Sequence, residues 1–189
     1  MPRSFLKARQ VLKQATMDRQ STHAPRSATK MKSSDDQACL KAALRLLGRR
    51  DHAVVGLRCK LSQRGFQPAQ IAAAIAECER LRYLDDQKFC HYFTLQQRRK
   101  GYGALRIAQM LREKGVPAIH IAESLRRNCT EMTQIEDCRS ALAKKVKTWS
   151  PVKDDKMTER LYRFLLSRGF DAATVRRVLD EEVPASPAE

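Results

Sequence analysis

Apolar residues along this chain fall at helical rather than strand spacing, and one arrangement of them occurs three times. "LSQRGFQPAQIAAAI" begins at Leu61, "LREKGVPAIHIAESL" at Leu111 and "LLSRGFDAATVRRVL" at Leu165. Counted from Gly65, Gly115 and Gly169, the position eight earlier holds Leu57, Ile107 and Leu161, and four earlier Leu61, Leu111 and Leu165. One residue after the glycine stand Phe66, Val116 and Phe170, six after stand Ile71, Ile121 and Val175, and ten after stand Ile75, Leu125 and Leu179. Offsets of four place each pair on one helix face, so the pattern predicts two amphipathic helices joined at a glycine. The glycine supplies the left-handed residue that ends the first helix. Pro68 suits the first turn of the next helix, and Asp171 can cap its counterpart.

Another helix is predicted upstream of each pair. Leu40, Ala43, Leu44 and Leu47 share a face in the first, Phe89, Tyr92 and Phe93 in the second, and more weakly Cys138, Ala141 and Leu142 in the third. The glycines are 50 and then 54 residues apart, which predicts an all-α chain of three tandem three-helix repeats, at 35–82, 83–130 and 131–183. Neighbouring repeats are expected to pack end to end into an elongated, curved rod. Residues 1–34 read as a basic N-terminal arm and 184–189 as a tail.

A glycine-linked helix pair also suits a DNA-reading helix-turn-helix. That motif needs polar side chains on its second helix to reach base edges, and Ala118, His120, Glu123 and Ser124 equip this one poorly. A structural pair used three times is the better account.

Charge adds a partner class. The formal net charge is +16, and residues 1–130 carry 26 Lys+Arg against 10 Asp+Glu, whereas residues 131–189 carry 11 of each. An excess confined to the first two thirds points to a polyanion, most simply nucleic acid or a nucleoprotein; a basic face kept for solubility is the alternative. The arm holds eight Lys+Arg and a single acid, Asp18, a composition shared by solvated polyanion-binding arms and by mitochondrial transit peptides. Phe5–Lys13 could form a short amphipathic helix on contact.

Chemistry-bearing constellations are few. Cys39, Cys59, Cys78, Cys90, Cys129 and Cys138 show neither CxxC nor framework spacing and read as reduced, helix-borne thiols of a cytoplasmic protein. Cys90 beside His91 lacks further ligands at usable spacing, so no metal is expected. The carboxylate pairs Asp35–Asp36, Asp85–Asp86 and Asp154–Asp155 each precede an expected helix, where they would cap it rather than act as acids. His23, His52, His91 and His120 share no triad spacing, and no phosphate-binding glycine loop occurs, so neither an enzyme nor a cofactor is expected. No apolar run is long enough to span a membrane.

The residues now in view resemble the RecX family of recombination regulators. The likeness runs through "ALRLLGRR" at 43–50, "KLSQRGF" at 60–66, "LRYLDDQKF" at 81–89, "RRKGYGALRIAQMLREKGV" at 98–116 and "LLSRGF" at 165–170, covering roughly residues 38–182. It implies an elongated all-helical repeat protein without enzymatic activity. Such a protein would bind the RecA recombinase and its filament on single-stranded DNA, restrain ATP hydrolysis and strand exchange, and so regulate recombination, DNA repair and the SOS response. Weak DNA binding and a monomeric state are also expected. The chain departs from the family pattern at Ala53, where a capping Ser is usual, and at Gly56, where a Glu is usual, so the middle helix of the first repeat is expected to start loosely.

Candidate contacts follow the cations. Arg64, Lys114 and Arg168 precede the three glycines and either form a line of charges toward an acidic groove or complement the carbonyl ends of their helices. Arg98, Arg99 and Lys100 lead into Gly101, Tyr102 and Gly103, a loop able to lay cations on phosphate and a ring on a base, or else a solvated connection with its tyrosine folded inward. Arg49 and Arg50 occupy the equivalent connection of the first repeat, Arg106 follows the loop, and Arg126 and Arg127 close the second repeat. Lys144, Lys145 and Lys147 stand where the third would have its patch, with acids around them. A stand-alone DNA- or RNA-binding protein without RecA dependence is the competing function.

Overall fold

The computed structural model describes residues 27–147 and 155–182, and these form nine α-helices without a strand. They are α1 (Ser27–Leu47), α2 (Val54–Ser62), α3 (Pro68–Arg80), α4 (Asp86–Arg99), α5 (Ala104–Glu113), α6 (Ala118–Asn128), α7 (Glu131–Lys147), α8 (Asp155–Ser167) and α9 (Ala172–Glu182). The arm before Ser27, with its expected helix at Phe5–Lys13, and the tail after Glu182 lie outside the described residues. Contacts divide the chain into two compact units, Met1–Phe89 and Cys90–Glu189.

In the first unit α1 packs mainly along α3, with α2 against both. The core holds Cys39, Ala43 and Leu46 of α1, Leu57 and Leu61 of α2, and Ile71, Ala74, Ile75 and Cys78 of α3. This turns the expected stripe of α1. Small residues at Cys39 and Ala43 sit at the contact, and Leu40, Leu44 and Leu47 cover its flanks. The helix also begins at Ser27, upstream of the expected boundary, so Asp35 and Asp36 lie inside it and are not its caps.

Ala53 provides α2 with no side-chain cap. Instead Asp86, at the start of α4, accepts the Val54 N–H at 2.9 Å. Asp85 accepts the Lys88 N–H at 3.0 Å and so performs the capping expected of that carboxylate pair. Pro68 opens α3 as expected, and the Gln67 N–H donates to Gln70 Oε1 at 2.8 Å.

Helices α7, α8 and α9 close a second core from Cys138, Ala141, Leu142, Leu161, Leu165, Phe170, Val175, Val178 and Leu179. Asp171 caps α9 as expected, accepting the Thr174 N–H at 2.9 Å. On α4 the expected aromatic stripe is not the buried one, because Tyr92 is 59% exposed and the buried residues are Cys90, Thr94 and Gln97. The polar ones are tolerated because they are paired. The Thr94 and Ser124 hydroxyls lie 3.0 Å apart, and Asn128 Nδ2 donates to the Ser124 carbonyl at 2.7 Å. Ser124 is therefore an interior residue of α6, not part of the exposed face expected for it.

Gly65, Gly115 and Gly169 have φ of 83°, 73° and 87°, the left-handed values their position requires. Gly103 and Gly169 also serve each other, for the Gly103 N–H donates to the Arg168 carbonyl at 2.9 Å and the Leu105 N–H to the Gly169 carbonyl at 3.0 Å. The carbonyl end of α8 thus caps the amide end of α5 and joins the second repeat to the third. The connection at Gly101–Gly103 is not a solvated one, since it is buried at both glycines and pinned.

A second link recurs at the repeat period. The Ala104 N–H, at the first position of α5, donates to Gln134 Oε1 of α7 at 2.9 Å, just as Val54, 50 residues earlier, donates to Asp86. In both places the first helix of the following repeat supplies the cap that the local sequence lacks.

Candidate functional site

Whether each cation has an acid beside it separates the candidate contacts. Arg80 pairs with Glu77, Lys88 with Asp85, Arg127 with Glu123, Arg163 with Glu159, Arg139 with Glu181 and Glu182, and Arg177 with Glu131 and Glu181. These are neutralised faces. Arg49, Arg50, Arg64, Arg99, Lys100, Lys114, Arg126 and Arg168 have no such pair among the described residues, and all but Arg168, which is half-buried, are exposed.

Arg98 belongs to neither group. Its side chain is 18% exposed, its Nε donates to Asp137 Oδ2 at 2.5 Å, and its Nη1 donates to the Asn128 carbonyl at 2.5 Å. The guanidinium closes the carbonyl end of α6 and ties α4 to α7. It is engaged as a strut inside the second unit, and the cations of its loop that face water are Arg99 and Lys100.

The loop's tyrosine meets the third repeat. The Arg168 guanidinium lies 5.0 Å from the Tyr102 ring centroid and 5.1 Å from that of Phe164, and its Nη1 donates to the Lys100 carbonyl at 3.5 Å. Lys145 Nζ approaches the Phe164 ring at 5.4 Å. Two aromatic faces hold the guanidinium in place, and a guanidinium so stacked can still offer N–H groups beyond the one on the Lys100 carbonyl to an oxyanion. Lys114 repeats the motif more simply, with Nζ 5.2 Å from the Phe93 ring centroid. Arg106 donates to Gln109 Oε1 at 2.9 Å along its own helix.

The structure therefore brings Lys100, Tyr102 and Arg168 into one cluster of the second unit. Phe164 and Lys145 complete it; Lys145 was visible from sequence only within a patch with acids around it, and Phe164 was not singled out. A signal for Phe164 existed, since it precedes Arg168 by four residues on one helix. Arg49, Arg50 and Arg64 stand on the first unit, at the turn after α1 and the end of α2.

The cysteines offer no nucleophile to this surface. Burial pushes the Cys78 thiol up to about 11 and that of Cys138 up to about 12, while burial outweighs the nearby Arg98 to push Cys129 up to about 11. Cys59, on α2, is exposed. Among the described residues no group of His, Cys, Asp and Glu is arranged to hold a metal ion. No described helix is long and apolar enough to cross a membrane.

Comparison with known proteins accounts for the repeats. Family models match residues 39–78 as the first, 85–125 as the second and 133–179 as the third three-helix domain of RecX. Regulatory protein RecX of Chlorobaculum tepidum is 38% identical over 150 residues, covering 77% of this chain and 91% of the relative. That of Legionella pneumophila is 33% identical over 140 residues, covering 74% and 91%. Among solved structures, RecX from Lactobacillus salivarius superimposes with a TM-score of 0.70 at 18% identity, over 79% of this chain and 97% of that one. A further regulatory protein RecX superimposes at 0.73 and 16% identity, over 91% and 85%.

Proposed function

Because the chain belongs to the RecX family, whose curated members are named regulatory proteins, we propose that it binds the RecA recombinase and its filament on single-stranded DNA. In doing so it restrains ATP hydrolysis and strand exchange, and thereby moderates recombination, repair and the SOS response in the cytoplasm. It acts by occupancy, without turnover or cofactor. The observation that carries this reading is the segregation of charge, since acids neutralise the helix faces of the last repeat while Arg99 and Lys100, which lead into Tyr102, and Arg168, which lies on the Tyr102 and Phe164 rings, have no acid paired with them among the described residues. A surface of that kind suits the phosphates of a strand held in a filament. Arg49, Arg50 and Arg64 on the first unit, and Lys114 and Arg126 on the second, supply separate weak contacts that add through effective concentration.

The test is charge reversal at Arg99 and Lys100, leaving Arg98 in place to keep the fold. Filament inhibition should weaken, and the slope of log affinity for single-stranded DNA against log salt should become shallower by about 0.7 for each phosphate that the variant no longer neutralises. Unchanged inhibition by the folded double variant would remove this loop from the mechanism.

The aromatic setting of Arg168 also supports a second reading, a protein that binds naked nucleic acid whether or not RecA is present. It predicts affinity that falls steeply with salt and gains nothing from added recombinase.

A further inference from the structure

The amide ends of α5, α7 and α9 and the turn after α8 surround a cavity of about 450 Å³, within the second unit. That is in the roughly 300–1,000 Å³ range of clefts that hold a ligand or an anchoring side chain. Its lining includes Ala104, Leu105, Cys129, Ile135 and Ala173. Leu105 is 62% exposed there, a large apolar side chain that the fold itself does not cover.

Gln134 also lines the cavity. Its Oε1 accepts the Ala104 N–H, while its Nε2 is buried and has no acceptor. Native proteins rarely leave such a donor without a partner, so the site is incomplete as it stands.

Charge identifies the class of occupant. Glu131 is 80% exposed, and the Arg177 guanidinium beside it is shared between Glu131 at 3.4 Å and Glu181 at 3.1 Å. Asp171 adds a second lining carboxylate; burial pushes its carboxyl up, and the hydrogen bonds from Thr174 and neighbouring amides together outweigh that and lower it from its ordinary value. Two carboxylates with a guanidinium already engaged repel a phosphate backbone. They accommodate a polypeptide that brings its own cation.

We propose that this cavity is the protein-docking site of the molecule. It takes an apolar anchor side chain of the partner, with an adjacent Lys or Arg on Glu131 and a partner carbonyl as acceptor for Gln134 Nε2. The inference rests on the reading above, under which the partner is RecA. It divides the contacts, giving the nucleic acid to Lys100, Tyr102 and Arg168 and the recombinase to the Leu105 cavity.

Leu105→Asp tests it without endangering the fold, because a carboxylate in the first turn of α5 favours the helix. The full chain is assayed twice, as an inhibitor of RecA ATP hydrolysis on single-stranded DNA and as a ligand of a fluorescent oligothymidylate without RecA. Removing an interface anchor should raise the half-inhibitory concentration by about tenfold or more, while oligothymidylate affinity stays within about twofold. Glu131→Lys should weaken filament inhibition yet leave oligothymidylate binding equal or tighter. If the cavity held nucleic acid, Glu131→Lys would strengthen both, and that result overturns the proposal. So does full inhibition by a folded Leu105→Asp protein, or a parallel decline in both assays. A wild-type chain that does not inhibit at all would overturn the RecA reading first and this inference with it.

Discussion

Replacing Gly103 by Ala adds one methyl group at a place with no room for it. The new Cβ would stand 2.3 Å from the Gly169 oxygen, 2.5 Å from its carbonyl carbon and 2.5 Å from the Phe170 nitrogen. All three are backbone atoms, so no side chain can swing aside. The end of α8 must withdraw, and with it go the hydrogen bonds from Gly103 to Arg168 and from Leu105 to Gly169. Each is worth about 1 kcal/mol net. Forcing extra volume into a packed site costs about 1–3 kcal/mol more, and the stiffer unfolded chain returns about 0.4–1 kcal/mol. The expected outcome is a drop of about 2–4 kcal/mol in the stability of the unit Cys90–Glu189, read by urea denaturation with circular dichroism. Gly56→Ala is the control. A Cβ at that position in α2 meets nothing within 4 Å, so the same methyl should stabilise the first unit by roughly 0.8–1 kcal/mol through helix propensity. A Gly103→Ala protein within about 0.5 kcal/mol of wild type would refute the claim that the second and third repeats are locked by their glycines.

Three further perturbations probe the links between elements. Asp86→Ala removes the only side chain capping the Val54 amide among the described residues and should cost the first unit about 1 kcal/mol in denaturant titrations; no change would mean water serves the amide equally well. Arg98→Met keeps the aliphatic stem but leaves Asp137 and the Asn128 carbonyl without their donor, and should cost about 2–3 kcal/mol, the scale of a partly buried charge-assisted hydrogen bond. A surface-like effect below about 0.5 kcal/mol would make Arg98 an ordinary exposed cation after all. The Asp171 carboxyl is lowered from its ordinary value of 3.8, so its contribution is fully present above that value and is lost as pH falls through the folded-state value. The Asp171→Asn protein should therefore be less stable at neutral pH and show a smaller fall in stability on acidification below about 4 than wild type does; identical acid curves would contradict the cap.

What sequence made legible was local, and what it missed was long-range. The helix, left-handed glycine and second helix are specified within fifteen residues, and Gly65, Gly115, Gly169, Pro68 and Asp171 behave as their positions demand. The first helix of each repeat was harder. On α4 the buried face is partly polar, and Thr94 becomes an interior residue only because Ser124, 30 positions on, pairs with it. Aromatic residues at Phe89, Tyr92 and Phe93 gave the stronger apolar signal and the wrong face. The loose start expected of α2 rested on Ala53 and Gly56, while its cap comes from 32 residues away.

The same limit applied to the candidate surface. Composition placed the excess of cations in the first two thirds of the chain but could not tell Arg98, held by an acid 39 positions on, from Arg99 and Lys100 beside it. Arg168 was visible as one member of a basic column. Its meeting with Tyr102 depends on how the third repeat docks on the second, through glycines that the pattern presented only as a helix end and a loop. The Leu105 cavity left no trace in the pattern, because its lining is drawn from α5, α7 and α9 together.

The central claim is that this chain acts on the recombinase filament rather than on DNA alone. The most direct measurement is RecA's ATP hydrolysis on single-stranded DNA, titrated with the protein at fixed moderate salt and with DNA in excess, so that sequestering the strand cannot account for a fall in rate. Inhibition at protein concentrations well below that of RecA is the predicted result. Undiminished hydrolysis by a folded protein that still binds the naked strand would contradict it.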